Sequence, residues 1–126
     1  MTSMPKVGRK SSYMGKIHKE QAEHYIWGDS CDGWYLERDA DRTIIQERMP
    51  AGTSEIKHVH QHAKQFFFIL SGEAVMWVDG SVITLKPQEG CTILPGIPHQ
   101  IRNDSSQDVE FLVISTPSTL GDRTAL

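Results

Sequence analysis

Short apolar runs recur along most of the chain, and turn-forming residues separate them. Gly, Pro, Asp or Ser interrupts the runs about every six to ten residues. This punctuation is typical of strands in an all-β sandwich or barrel. The pair Asp79-Gly80 marks the tightest predicted hairpin, because a two-residue Asp-Gly loop matches the twist of antiparallel strands. The predicted strands are GWYLER, RTIIQERMP, QFFFIL, EAVMWV, SVITL, CTIL, HQIRN and VEFLVIS.

One segment does not follow the strand pattern. Residues 18–27, HKEQAEHYIW, are rich in helix-forming side chains and are followed by a Gly-Asp pair. This composition predicts a short N-terminal helical segment.

Alternation along QFFFIL assigns its side chains to two faces. Phe67 and Ile69 share one face, which we predict to line the interior, so Phe66, Phe68 and Leu70 point outward. An outward face this apolar requires a cover. We predict a homodimer, with a partner sheet or the N-terminal segment packed over this strand.

The size of the chain fits one domain. It has 126 residues, of which 38% are hydrophobic, and a core of that size leaves little room for a second domain. We assign the domain to residues 16–119. The remaining residues form a flexible N-terminal tail at 1–15 and a C-terminal tail at 120–126.

Charge and cysteine content narrow the class of protein further. A net charge of −3 gives no general attraction to nucleic acid or to an anionic membrane, and no apolar run reaches the roughly 20 residues of a bilayer span. The basic N-terminus lacks the apolar region of a secretory signal. Cys31 and Cys91 have no CxxC or metal-ligand spacing, so we expect reduced thiols, with Cys91 buried. We therefore expect a cytoplasmic protein with no nucleic-acid or membrane partner.

Histidines gather at one point of this pattern. His58 and His60 are two residues apart, and on a strand such side chains point to the same face and can bind one ion. Gln65 begins the next predicted strand, and His99 begins another after a Pro-Gly turn. We expect the three imidazoles and the amide oxygen to converge. His62 has the same parity as His58 and His60, so it is expected either at the rim of the pocket as an acid or base or as a solvent-exposed loop histidine.

These motifs resemble those of the cupin superfamily. The spacing of Gly52, His58, His60, Gln65 and Gly72 resembles the first cupin motif, and LPGIPHQIRN, which ends at Asn103, resembles the second. The resemblance implies a double-stranded β-helix, also called a cupin or jelly-roll barrel. It also implies a divalent metal ion, bound by the residues that match the motif ligands: His58, His60, Gln65 and His99.

Three positions depart from the usual motifs. Gln65 stands where the first motif usually has glutamate, Leu94 replaces a usual proline, and Gln88 replaces an expected glycine. Of these, only the change at Gln65 touches the metal. Three neutral imidazoles and a neutral amide leave the charge of a divalent ion uncompensated, so we expect anionic, chelating oxygen ligands such as carboxylates and enolates.

Several functions suit such a site. Iron, manganese, nickel or copper would favour a dioxygenase, and this is the first interpretation. Zinc would favour a Lewis-acid isomerase or ring-opening enzyme acting on a sugar- or uronate-like keto acid, since cupins with a similar three-His-plus-Gln set include a ketouronate-linearising group. The third alternative is a non-catalytic small-molecule-binding protein. Any proton transfer needs a separate base, for which His62, Glu47 and Tyr35 are candidates by residue type.

Overall fold

Strands make up nearly all of the regular structure. The protein is described by a computed structural model, which covers residues 15–126. A single 3₁₀ turn at Lys19–Gln21 precedes eleven strands in this part of the chain. The strands are β1 (Glu23–Trp27), β2 (Cys31–Arg38), β3 (Thr43–Met49), β4 (His58–His60), β5 (Lys64–Ser71), β6 (Ala74–Val78), β7 (Ser81–Leu85), β8 (Gly90–Ile93), β9 (His99–Arg102), β10 (Val109–Thr116) and β11 (Arg123–Ala125).

Two antiparallel sheets enclose the core. One sheet has the order β1-β2-β3-β10-β5-β8, and the other has the order β11-β4-β9-β6-β7. Neighbouring strands are mostly distant in sequence, as in a jelly roll, so the predicted all-β barrel is confirmed. Alternate side chains of β10 are buried, and the inward positions of both sheets meet in one hydrophobic cluster. Phe67 and Ile69 belong to that cluster, as predicted, and are 3% and 0% exposed.

The predicted N-terminal helix is wrong. Apart from the 3₁₀ turn, the segment forms β1, which pairs with β2 in the register Tyr25↔Gly33. Pairing overrides the helical propensity because it places the Tyr25 ring inward, against Gly33, where a side-chain β-carbon would collide with the ring. Within residues 15–126, no helix has the length and apolarity needed to cross a membrane.

The C-terminal segment differs from the predicted tail. Within residues 120–126, β11 pairs antiparallel with β4 and places Arg123 opposite His60. The Leu126 N–H also donates to the Lys57 carbonyl at 3.0 Å. The edge of the second sheet is thus completed by residues that have no apolar alternation. The predicted N-terminal tail, apart from Gly15, lies outside the described residues.

The outward face of β5 is apolar. Phe66 is 37% exposed, and its ring stacks on that of Phe68 at a centroid distance of 6.1 Å. On the neighbouring strand β10, Leu112 and Ile114 lie opposite these two residues.

Both cysteines are free thiols. Cys31 is buried, whereas Cys91 is half-buried and not buried as expected.

Candidate metal centre

Three histidines meet between the sheets. His58 on β4 lies directly opposite His99 on β9, and alternation along β4 places His60 on the same face. Each is less than 5% exposed, and one ligand nitrogen from each lies within 4.8 Å of the others. The predicted convergence of the three imidazoles is therefore confirmed, and the cluster could hold one metal ion.

Backbone carbonyls orient two of the rings. The Nδ1 atoms of His58 and His99 lie 2.7 Å and 3.0 Å from the carbonyl oxygens of Ile56 and Ile97. A neutral ring that donates its Nδ1 proton to such a carbonyl presents the lone pair of Nε2, which is the form that binds metals. Burial lowers the pKa of His58 to about 3 and also lowers that of His99, so both rings are neutral at neutral pH.

His60 has no such partner. Both of its ring nitrogens are buried and have no hydrogen-bond partner within the described residues. Burial lowers its pKa to about 4, so the ring is neutral as well. A buried polar atom without a partner costs about 1 to 3 kcal/mol. A cation at the cluster would supply the missing partner, and the donor set therefore fits a divalent ion.

Gln65 lies next to the cluster. Its Oε1 is 3.0 Å from His99 Nε2, while its Nε2 donates to Ser115 Oγ at 3.1 Å. Because His99 Nδ1–H faces the Ile97 carbonyl, the neutral ring turns a lone pair toward the glutamine oxygen. Two acceptors this close to each other suit a shared cation, which His99 and Gln65 would hold together with the other two histidines.

The cluster opens to the surface through two connected spaces. An inner cavity of about 180 Å³ is lined by His58, His60 and Gln65, among other residues. It shares Tyr35, His60 and Arg123 with an outer pocket of about 780 Å³. A molecule in the outer pocket would therefore lie beside His60, and the two adjacent spaces together suit a small organic ligand.

Two carboxyl groups also line the inner cavity. Glu47 Oε2 accepts a hydrogen bond from the Tyr25 hydroxyl at 2.9 Å. Burial raises the pKa of Glu47 to about 7, although the Tyr25 hydrogen bond and the charge of Arg123 oppose the shift. Burial, together with the charge of Glu47, raises the pKa of Glu55 to about 8. Glu55 Oε1 accepts a hydrogen bond from the Ile101 N–H at 3.0 Å and lies 3.9 Å from His58 Nδ1.

The three candidate bases have different positions. Glu47 and Tyr35 both line the inner cavity, and Tyr35 also lines the outer pocket. His62 lines neither space and is exposed, which agrees with the second of its two predicted positions, an exposed loop histidine, and not with the pocket rim. Strand β4 ends at His60, so the alternation that predicted the direction of His62 does not extend to it.

Sequence reasoning missed three residues of the cavity. Tyr25 was placed in a helix, and Glu55 lies in a loop with no pattern of its own. Arg123 was placed in a tail, yet its Nη2 lies 3.4 Å from His58 Nδ1 and its side chain lines both the cavity and the pocket. No hydrophobic pattern around Arg123 signals the short strand that carries it.

Comparisons with known proteins agree with this geometry. The chain is 30% identical over 73 residues to an oxalate-binding protein of Thermotoga maritima, a match that covers 58% of this chain and 60% of that protein. It is 28% identical over 67 residues to quercetin 2,3-dioxygenase of Bacillus subtilis, covering 53% of this chain and 20% of the enzyme. The chain thus matches less than two thirds of the length of these curated relatives.

A solved structure shows the same fold. The polyketide cyclase RemF from Streptomyces resistomycificus superposes with a TM-score of 0.79 at 16% identity, covering 90% of this chain and 86% of that one. The family model described as a cupin domain matches residues 45–115, which is more than half of the chain and includes all four predicted ligands. The chain therefore belongs to the cupin domain family.

Proposed function

We propose that this protein is a metal-dependent enzyme that binds an anionic, enolisable small molecule and transfers a proton on it. The observation that carries the proposal is that Glu47 lines the inner cavity together with His58 and His60. His58, His60, His99 and Gln65 would hold the ion. When bound, the ion would supply Lewis-acid polarisation of a substrate oxygen.

The charge of the site favours an anion. All four proposed ligands are neutral, since burial holds the pKa of each histidine below its usual value and the fourth ligand is an amide. None of the four ligands would therefore balance the charge of a divalent ion, so an anion that binds directly to the ion is favoured. A carboxylate or an enolate meets this requirement, and the oxalate-binding relative is named for such an anion.

Glu47 is the base that the geometry favours. In the metal-free protein its pKa of about 7 lies close to neutral pH, and a bound cation would lower this pKa and favour the ionised form that acts as a base. The Tyr25 hydroxyl holds the carboxylate in place, and burial raises the Tyr25 pKa well above its ordinary value, so this hydroxyl remains a donor. Glu47 would remove a proton from the carbon beside a carbonyl, leaving an enolate, and return it to the neighbouring carbon of that enolate system, which gives isomerisation.

We expect Glu47→Gln to slow hydrogen–deuterium exchange at C3 of a 2-keto acid by at least about 100-fold, because an amide cannot accept the proton. Nuclear magnetic resonance of the metal-loaded protein measures this exchange. Glu37→Gln, which changes an exposed glutamate on β2, is the matched control.

The pH profile gives an independent test of Glu47. The carboxylate must be ionised to act as a base, so the exchange rate should rise with pH and level off above the Glu47 pKa. The Tyr25 hydrogen bond lowers that pKa, so Tyr25→Phe should move the midpoint to higher pH. An exchange rate unaffected by Glu47→Gln, or a midpoint unmoved by Tyr25→Phe, would exclude Glu47 as the base.

A dioxygenase is the second candidate. The similarity to quercetin 2,3-dioxygenase supports it, and an imidazole-rich ligand set accepts iron, manganese, nickel or copper. Elemental analysis of the purified protein and oxygen consumption with diketones, phenols and keto acids separate the candidates. Oxygen uptake with a redox-active metal would favour the dioxygenase. Anion binding with neither oxygen uptake nor proton exchange would favour the non-catalytic binding protein.

We also propose that two copies pack through the outward face of β5. Light scattering at micromolar concentration should then give twice the chain mass of 14.2 kDa. Phe66→Lys should give a monomer with unchanged metal content, because a charge in the middle of an apolar interface is costly to bury. Val82→Lys, at a 57% exposed residue of the other sheet, should remain a dimer. A monomeric wild-type protein would contradict this assembly.

A further inference from the structure

We propose that Arg123 binds a carboxylate group of the substrate and that Asp122 positions this arginine beside the histidine cluster. The inference rests on the proposed function and assigns a specificity-determining role to the C-terminal strand.

The backbone places Arg123 at the metal centre. Strand β11 pairs with β4, which carries two of the histidines, and Arg123 lies opposite His60. From there its side chain lines both the inner cavity and the outer pocket. It is therefore in reach of a ligand that enters through the outer pocket and touches the histidines.

The guanidinium is left without an anionic partner. Arg123 forms no salt bridge within residues 15–126, whereas Arg38, Arg42, Arg48 and Arg102 each pair with a carboxylate. Its Nη2 lies 3.4 Å from His58 Nδ1, but a neutral His58 ring uses the Nδ1 proton on the Ile56 carbonyl and has no lone pair there. The N–H groups of Arg123 that face the cavity thus remain free to donate.

The charge of Arg123 favours an anion at this point, and the two carboxyl groups of the same cavity, Glu47 and Glu55, offset it only in part because burial raises the pKa of both. Arg123 Nη2 lies 3.4 Å from His58 Nδ1, so its positive charge is next to the histidine cluster. A cation held at the histidines would be repelled by the same charge. An anionic ligand between the ion and the guanidinium is attracted by both positive charges. A carboxylate suits this place because a guanidinium can donate two parallel hydrogen bonds to it.

Asp122 fastens the segment that carries Arg123. Its carboxylate accepts hydrogen bonds from the N–H groups of Gln61, His62 and Ala63, at distances of 2.9 to 3.2 Å. Burial opposes ionisation of Asp122, but these three hydrogen bonds outweigh it and lower its pKa. The turn after β4 and the start of β11 are therefore joined by one ionised side chain, which acts on the substrate only through Arg123.

Calorimetric titration of the metal-loaded protein with oxalate tests both roles. We expect Arg123→Gln to weaken oxalate binding by about 10- to 100-fold, the loss expected for a charge-assisted hydrogen bond, and Arg123→Lys to recover part of it. Metal affinity and unfolding temperature should be unchanged or slightly higher in Arg123→Gln, because a repelling charge is removed without disturbing the core. Arg102→Gln, which removes a charge that pairs with Asp104, is the matched control and should bind oxalate as the wild type does.

A double-mutant comparison isolates the role of Asp122. Asp122→Ala should weaken oxalate binding, and Asp122→Ala combined with Arg123→Gln should be no weaker than Arg123→Gln alone. A further loss in the double variant would overturn the positioning role. Oxalate binding by metal-loaded Arg123→Gln at wild-type affinity would overturn the role of Arg123 and leave the proposed function intact. Failure of the metal-loaded wild type to bind oxalate would overturn both.

Discussion

His60→Ala should strip most of the bound metal from the protein, whereas His62→Ala should leave it in place. Both ring nitrogens of His60 are buried without a partner in the described part of the chain, and a bound ion would be the partner of the one that carries the lone pair. His62 is an exposed histidine two residues further on. Removing a residue that only hydrogen-bonds to a metal ligand weakens metal binding by about 10- to 100-fold. Removing a ligand should therefore weaken metal binding by more than about 100-fold.

Elemental analysis after dialysis measures this difference, and the unfolding temperature of the metal-free proteins provides the control. Metal-free His60→Ala should unfold close to metal-free wild type, since the cavity it creates is offset by removal of two unsatisfied nitrogens. His58→Ala and His99→Ala should also lose the metal. Full retention of metal by the His60→Ala or His99→Ala protein would refute the three-histidine site.

Gln65→Glu should shift two affinities in opposite directions. With a bound divalent ion, the change lowers the formal charge of the site from +2 to +1, so the metal should bind more tightly. An anion such as oxalate should bind the metal-loaded variant more weakly, because it meets less positive charge and a nearby negative oxygen. Each shift should amount to about 1 to 3 kcal/mol, or about 5- to 150-fold.

Ser115 makes the substitution conservative in structure. The Gln65 amide donates to Ser115 Oγ, and that hydroxyl can reverse its role and donate to a carboxylate. Titration of both proteins with metal, and then of the loaded proteins with oxalate, gives the two affinities. Gln65→Met is the companion variant, which removes the oxygen and should weaken metal binding. If neither affinity changes in Gln65→Glu, Gln65 is not a ligand.

Alternation and motif spacing predicted the centre of the molecule well. His58 and His60 are two residues apart on one strand, so both side chains point to the interior. Phe67 and Ile69 are also two residues apart on a strand, and both are buried. His99 follows a turn whose Pro and Gly are visible in the sequence. These features depend on local geometry, which neighbouring residues determine.

The rest depends on contacts between distant residues. Strand β1 forms because β2 is available to pair with it and Gly33 leaves room for Tyr25, although the local composition favours a helix. Strand β11 consists of three exposed residues, so its sequence has no alternation of apolar and polar residues from which a strand could be predicted. Glu47 could be named by residue type alone, but its elevated pKa arises from burial, which only the folded chain reveals.

Arg123, which we propose to select the substrate, lies outside the residues that stabilise the fold. The proposed ligands lie buried on β4, β5 and β9, whereas none of the β11 residues belongs to the hydrophobic core. With the role proposed for Arg123, this short strand is an exchangeable part of the molecule. A different side chain at that position would alter which anion is accepted at the same metal centre, and the barrel would not have to repack.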